Sequence, residues 1–354
     1  MLLLLHKERK SIILQYIFSN NFTKLLENLK SDYEIYIPVK KGEQRFYKKY
    51  IDFTDDIVIG EVRAFEPLKS FFFRVREIVA ENFKSDIPHT SQKPYCIVGV
   101  KACDLKGLRI HDYVFKNHDF QDPFYINRRK DNLIISTDCT SAIDTCFCLA
   151  LNVKPYPLEN FDINLSAVGE DFIVEIGSPK GKRLVEKYSS LFEEIKDKFL
   201  SQRNEQREKV TKAVEKNIKE NKIPHQDSFK GIIERGYESD IWADEADKCV
   251  ECGACNTICP TCHCFLLYDQ KSENQMARLR IWDSCMIKDF AQVAGGANPR
   301  PELWMRLRNR FEKKFDFFPK VADIYACTGC GRCISACPAK IDIRKVLKRL
   351  VYDV

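Results

Sequence analysis

Cys249-Val250-Glu251-Cys252-Gly253-Ala254-Cys255-Asn256-Thr257-Ile258-Cys259-Pro260 decides the reading of this chain, and Cys327-Thr328-Gly329-Cys330-Gly331-Arg332-Cys333-Ile334-Ser335-Ala336-Cys337-Pro338 repeats it. Both are complete C-x₂-C-x₂-C-x₃-C-P runs. Three thiolates at this spacing surround one iron–sulfur cube, and the fourth cysteine heads a short helix aimed at the other cube. The expected ligation is therefore crossed. Cys249, Cys252, Cys255 and Cys337 would hold one cluster, and Cys327, Cys330, Cys333 and Cys259 the second. Two cubes held this way sit close together, which suits electron transfer.

About sixty-seven residues separate the two runs, far more than a minimal two-cluster module needs. Gln275–Phe290 and Pro301–Phe315 read as helical segments of this insertion, so a helix-rich two-cluster (2 × 4Fe–4S) ferredoxin-like domain is expected over 241–354. Trp242 and the acidic Asp244–Asp247 segment open it. Gly253, Gly329 and Gly331 lie within the cysteine loops, where the missing Cβ would let backbone amides approach cluster sulfurs. Lys248, Arg332 and Lys340 are cations that either tune an anionic cluster or are ordinary solvated charge.

The chain has 354 residues, sixteen Cys and a formal net charge of +6. That many cysteines in an intracellular-looking sequence read as metal ligands rather than disulfides. The mild, scattered positive charge gives no basis for nucleic-acid binding. The leucine run Met1–Leu5 breaks at His6, too short for a signal h-region or a membrane span, and no later stretch reaches spanning length. A cytoplasmic protein without direct membrane insertion is expected.

The N-terminal part, 1–195, reads as an α/β domain. Ser11–Leu29 has helical apolar spacing, and Tyr33–Pro38 and Ile57–Val62 look like strands. Residues 95–101 and Leu133–Ser136 are continuous apolar runs typical of buried parallel strands, and 162–190 reads as a hairpin followed by a helix. Lys69–Glu77 joins three phenylalanines to charged residues and reads as core with a charged flank. Just past the two buried strands stand Cys103 and Cys139, at strand ends where α/β folds gather ligands. With Cys146 and Cys148 they supply four thiolates, enough for a third iron–sulfur cluster, with structural zinc or unligated thiols as competitors. Residues 196–240 are dense in Lys, Glu, Arg and Gln and read as a charged helical linker.

Cys262, Cys264 and Cys285 form a further set of three that could ligate, tune a neighbouring cluster or pack; Cys96 lies mid-strand and reads as core. His111 and His263 are read as hydrogen-bonded histidines, and Asp104 as a helix cap or loop anchor. No residue is nominated as a catalytic acid or base, and no G-x-G-x-x-G is present to bind a dinucleotide.

Beyond the cysteine runs, the chain carries Pro260-Thr261-Cys262-x-Cys264, Trp282-Asp283-Ser284-Cys285, Ala294-Gly295-Gly296-x-Asn298-x-Arg300-Pro301, Lys69-Ser70-Phe71-Phe72-Phe73, Gly99-Val100-x-Ala102-Cys103-Asp104, Tyr125-x-x-Arg128-Arg129 and Cys146-Phe147-Cys148. In combination these resemble the iron–sulfur beta subunits of cytoplasmic sulfhydrogenases, the NAD(P)-linked multisubunit NiFe hydrogenases. The corresponding iron–sulfur subunit of anaerobic sulfite reductases is similar too. The resemblance implies an electron-transfer subunit of an oxidoreductase complex. It would relay single electrons between a flavin- and NAD(P)H-binding subunit and a catalytic subunit, either a hydrogenase or a sulfite reductase. A redox-sensing iron–sulfur regulator is the reading from a different class, and the sequence shows no helix-turn-helix to support it. A catalytic role for an open-coordinated N-terminal cluster is a third reading, which an intact four-Cys site would count against.

Overall fold

The computed structural model describes residues 14–82, 93–117, 119–272 and 275–354; Met1–Leu5 and Ser11–Ile13 lie outside them. In chain order the elements are β1 (Leu14–Ile17), α1 (Ser19–Leu29), β2 (Glu34–Lys41), β3 (Gln44–Lys49), β4 (Arg76–Glu81), β5 (Tyr95–Val100), α2 (Ala102–Phe115), α3 (Pro123–Asp131) and β6 (Leu133–Thr137). Then follow β7 (Ile163–Val168), β8 (Asp171–Ile176), α4 (Pro179–Lys187), α5 (Asp197–Glu220), α6 (Ile232–Arg235), α7 (Ile241–Ala246) and α8 (Ala254–Thr257). The chain ends with β9 (Phe265–Ser272), β10 (Gln275–Trp282), α9 (Leu303–Glu312), α10 (Phe318–Ala322), α11 (Arg332–Ala336) and α12 (Ile343–Tyr352).

Apolar strands organise the N-terminal part into one sheet, ordered β1-β8-β7-β6-β5-β2-β3. Its centre is parallel: β2 pairs with β5, β5 with β6 and β6 with β7. Strands buried on both faces must be apolar throughout, and every residue of β6 is indeed buried. Both sheet faces are covered. One packs Phe22, Leu25 and Leu26 of α1 against Val98 and Ile135. The other packs Phe72, Phe73 and Leu105 against Ile97 and Ile134. Phe72 and Phe73 are fully covered, each worth about 2–3 kcal/mol of apolar burial.

The iron–sulfur loops lie in a separate core built on Trp242, Phe311, Val346, Leu347 and Leu350. This core is joined to the sheet region in several places. Strand β4 leaves the N-terminal part and pairs antiparallel with β10, forming a three-stranded sheet β4-β10-β9. Helix α5, in the segment read as an exposed linker, buries Val210 and Val214. Its Arg207 pairs with Asp138, and its Asn217 amide donates to the carbonyls of Ile143 and Cys146.

Three sequence expectations need correction. Gln275–Phe290 is not helical, because Gln275–Trp282 forms β10, paired over its whole length with β9. Long-range pairing with β4 outweighs local propensity here, and the same strand buries Arg280 against Glu77 and Asp122. Ile57–Val62 is not a strand either; only Ile57 forms a bridge, to Val39. The Ile59 carbonyl instead accepts from Lys101 Nζ and Thr137 Oγ1, both at 2.8 Å. The Ser11–Leu29 pattern divides, with Leu14–Ile17 extended as β1 and the helix beginning at Ser19.

Candidate metal centre

Each of the two C-x₂-C-x₂-C-x₃-C runs turns at a glycine in left-handed conformation and then enters a short helix. Gly253 (φ 68°) precedes α8, and Gly331 (φ 70°) precedes α11. The tight turns aim the first three thiols of each run inward. Cys249, Cys252, Cys255 and Cys337 line one small cavity of about 40 Å³, together with Cys333, Arg310 and apolar walls from Met286, Leu307 and Phe311. A second cavity of about 30 Å³ is lined by Cys103, Cys139, Cys146, Cys148 and Cys330. Between these two, Cys259, Cys327, Cys330 and Cys333 lie within electrostatic reach of one another. Cys330 thus stands at the border of one neighbouring group, and Cys333 at that of the other. Among the described residues no three His, Cys, Asp or Glu side chains converge on a single point as a mononuclear ion needs.

The N-terminal thiols occupy the strand-end positions expected from the sequence. Cys103 lies in the first turn of α2, directly after β5, and Cys139 lies two residues past β6. The loop carrying Cys146 and Cys148 is pressed against the second cysteine run. The amide of Phe147 donates to the Gly329 carbonyl at 2.9 Å. A Cβ on Gly329 would fall 2.5 Å from Cys148 Cα, and one on Gly331 would fall 2.2 Å from the Thr145 carbonyl oxygen. These glycines are therefore required by the approach of two backbones, a role different from the cluster contact expected of them.

Burial disfavours free thiolates at these sites. It pushes the thiols of Cys103, Cys146 and Cys148 up, and those of Cys139 and Cys333 to about 12. Thiols raised by desolvation become thiolates readily only when a bound cation takes up the charge.

The cations around the cavities fit an anionic occupant. Arg310, Lys314, Lys101 and Arg332 are all nearly inaccessible to solvent. Lys314 Nζ lies 3.4 Å from Cys259 Sγ and donates to Thr261 Oγ1 at 2.9 Å. Arg310 Nε donates to Asn256 Oδ1 at 3.0 Å, while its Nη2 is buried without a partner. Lys101 Nζ reaches only the Ile59 and Asp138 carbonyls and the Thr137 hydroxyl. Uncompensated buried cations are costly, and a thiolate-held cluster, anionic in its usual oxidation states, would supply the missing charge. The residues present therefore fit iron–sulfur clusters.

The sequence reading missed most of these cations. Arg306, Arg310 and Lys314 recur every fourth residue along α9 and the π-helical turn at Lys313–Phe317. That period puts them on one helix face. Arg306 pairs with Glu251, and the other two reach Asn256 and Cys259. A basic stripe on a helix between two cysteine runs was the signal available. Of the three cations that were singled out, Lys248 and Lys340 are exposed, whereas Arg332 is fully buried against Asp104 at 2.8 Å. Asp104 anchors the loop as well as the ion pair, accepting from the amide of Leu68.

The other singled-out residues divide cleanly. Cys96 is buried mid-strand in β5, as expected. His111 is enclosed by Phe73, Phe115 and Tyr125, and burial holds its pKa well below the usual imidazole value. His263 Nδ1 hydrogen-bonds the Thr261 carbonyl, and burial lowers its pKa to about 4. Lys69 is buried, donates to the Cys262 carbonyl and lies 4.2 Å from the centre of the Trp282 ring. Cys262 and Cys285 gather around the side chain of Asn256, and Cys264 lies against Cys285.

The comparisons agree with this geometry. A family of 4Fe–4S dicluster domains matches residues 248–341, both cysteine runs included. Sulfhydrogenase 2 subunit beta of Pyrococcus furiosus is 30% identical over 333 residues, covering 94% of this chain and 96% of that protein. The chain belongs to the sulfhydrogenase beta-subunit family. The F420-dependent formate dehydrogenase subunit beta of Methanocaldococcus jannaschii is 25% identical over 179 residues, half of this chain and 38% of that protein. Pyruvate-flavodoxin oxidoreductase of Trichormus variabilis is 26% identical over 103 residues, 29% of this chain and 7% of that protein. Membership of this family, with the dicluster domain, makes the chain an iron–sulfur electron-transfer protein of the oxidoreductases. Among the described residues no helix is long and apolar enough to cross a membrane.

Proposed function

We propose that this chain is the electron-relay subunit of a cytoplasmic, multisubunit oxidoreductase of hydrogenase type. It would carry single electrons between a flavin- and NAD(P)H-binding subunit and the catalytic subunit. Two 4Fe–4S clusters are held crosswise, one by Cys249, Cys252, Cys255 and Cys337 and the other by Cys327, Cys330, Cys333 and Cys259. A third is held by Cys103, Cys139, Cys146 and Cys148. When bound, such clusters supply one-electron transfer.

The observation that carries this reading is the cavity where Cys337 joins Cys249, Cys252 and Cys255. A thiol from the far end of the second run has joined the first, as crossed ligation requires. The protein's own part is then spacing, insulation and charge. Cys330 and Cys333 keep the three sites contiguous. Met286, Leu307 and Phe311 keep water from the first cavity. Lys101, Arg310 and Lys314 favour the more negative, reduced state of whatever lies beside them and so raise its potential. Cys252, the exposed cysteine of the first run, marks the end of the relay nearest to solvent and hence to a docked partner.

The test is anaerobic isolation from the native source, with iron and acid-labile sulfide counted and co-purifying subunits identified. About twelve irons per chain and a NiFe partner is the expected result, for three four-iron clusters. About eight irons with a sirohaem partner would transfer the assignment to a sulfite reductase and leave the N-terminal thiols structural.

A further inference from the structure

Cys264 and Cys285 are placed together at the base of the β9–β10 hairpin. The amide of Asp283 donates to the Cys264 carbonyl at 3.0 Å, continuing the ladder beyond Trp282. That extension brings the Cys264 thiol against Cys285, to which it donates a hydrogen bond. Cys285 is buried and also accepts from Asn256 Nδ2 at 3.0 Å. Two donors onto one sulfur favour its thiolate, and together with Lys313 and Arg310 they hold Cys285 at about 6 against its burial.

Asn256 connects this pair to the cluster loops. It follows Cys255 directly in the chain, and its Oδ1 lies 3.9 Å from Cys255 Sγ and 3.7 Å from Cys262 Sγ. Cys262 in turn faces Cys259 and donates to it. The Asn256 amide fills the space that a cube would need between Cys262 and Cys285, unlike the two thiol-lined cavities. The arrangement is therefore that of a dithiol beside two clusters.

We infer that Cys264 and Cys285 form a reversible dithiol–disulfide couple that stores two electrons next to the relay, an inference that rests on the two-cluster reading proposed for the cysteine runs. Oxidation breaks the two S–H bonds, forms one Sγ–Sγ bond and releases two protons. The two electrons pass singly to oxidised 4Fe–4S clusters on the neighbouring cysteine loops. Reduction runs the other way: reduced clusters deliver the two electrons, the sulfur–sulfur bond breaks, and each sulfur regains a proton. A couple of this kind matches one-electron clusters to the two-electron chemistry of a nicotinamide or of hydrogen. A thiolate at Cys285, supported by Asn256, is the nucleophilic partner such exchange requires.

The experiment uses the full chain, purified anaerobically with its clusters. Samples poised with dithionite or with thionine are acid-quenched, alkylated with iodoacetamide under denaturing conditions and sequenced by mass spectrometry. The expected result is both thiols alkylated after dithionite, and a Cys264–Cys285 linked peptide after thionine. Cys264→Ser and Cys285→Ser should keep the iron content and EPR spectra of the parent and take up two fewer electrons per chain in a coulometric titration. Full alkylation of both residues after thionine would overturn the proposal, and so would a link running through Cys262. A loss of about four irons in either variant would show that the pair ligates a cluster instead. Those outcomes leave the two-cluster reading intact; that reading fails separately if the parent chain itself lacks the iron.

Discussion

The two cysteine runs share one spacing and differ in everything around them. In the first, Cys252 is exposed, and Val250 beside it is 65% exposed. In the second, Cys327 and Cys330 are buried, and Arg63 of the N-terminal part donates from its Nε to the Cys330 carbonyl. Ligand spacing therefore specifies what is bound, whereas the packing partner specifies how the bound group is used. A cluster within the second run would be shielded and fixed against the N-terminal thiols. One within the first would face a partner. The same four-cysteine pattern supports both an inner station and an outlet.

The strongest way to break this comparison is to cut the crossing. Cys259→Ser should abolish the cluster attributed to Cys327, Cys330 and Cys333, removing about four irons per chain, and should spare the cluster of its own run. EPR of the reduced protein separates the two, and a loss confined to the Cys249-Cys252-Cys255 cluster would mean that ligation is not crossed.

Next in size is the buried ion pair that anchors only the second run. Asp104→Ala leaves the Arg332 guanidinium, fully buried, without its carboxylate. The cost expected for an uncompensated buried charge is about 3–5 kcal/mol, read as a shift in the denaturant midpoint at unchanged m-value. Asp104→Asn should recover part of it by keeping the hydrogen bond from the Leu68 amide.

Much of the site was legible from the sequence because spacing along the chain is itself a geometric statement. The eight ferredoxin-type cysteines, and Cys103 and Cys139 at strand ends, follow from period and position. The joining of Cys146 and Cys148 to them was readable as thiol arithmetic. What the sequence withheld was pairing over distance. Nothing local in Gln275–Trp282 reveals that its partner is Arg76–Glu81, nearly two hundred residues earlier, and an alternating segment with arginines looks equally helical. The buried cations were hidden for a related reason. Lys101, Arg310 and Lys314 look like surface charge until the thiols that surround them are assembled from distant segments. Lys69–Phe73 was readable as core from its phenylalanines, but not that Lys69 itself would be buried against the Cys262 carbonyl.

The smallest effects sharpen the comparison at matched positions, since Gly253 and Gly331 each follow the second cysteine of their run and both have positive φ. An alanine at either position carries the left-handed backbone penalty, about 1 kcal/mol. The steric term separates them. At Gly331 the new methyl meets a backbone carbonyl at 2.2 Å, which cannot turn away, whereas at Gly253 it meets the Ser284 side chain at 3.1 Å, which can give by a few tenths of an ångström. Gly331→Ala should therefore cost about 2–4 kcal/mol, including the overpacking term, and Gly253→Ala about 1–2 kcal/mol. Thermal or denaturant unfolding of both variants reads the difference directly. Equal losses would mean that the second run is not clamped against Thr145–Cys148, and the distinction between inner station and outlet would then lose its structural basis. A larger loss at Gly331, accompanied by disturbance of the N-terminal cluster signal, would show that the clamp also holds those thiols in place.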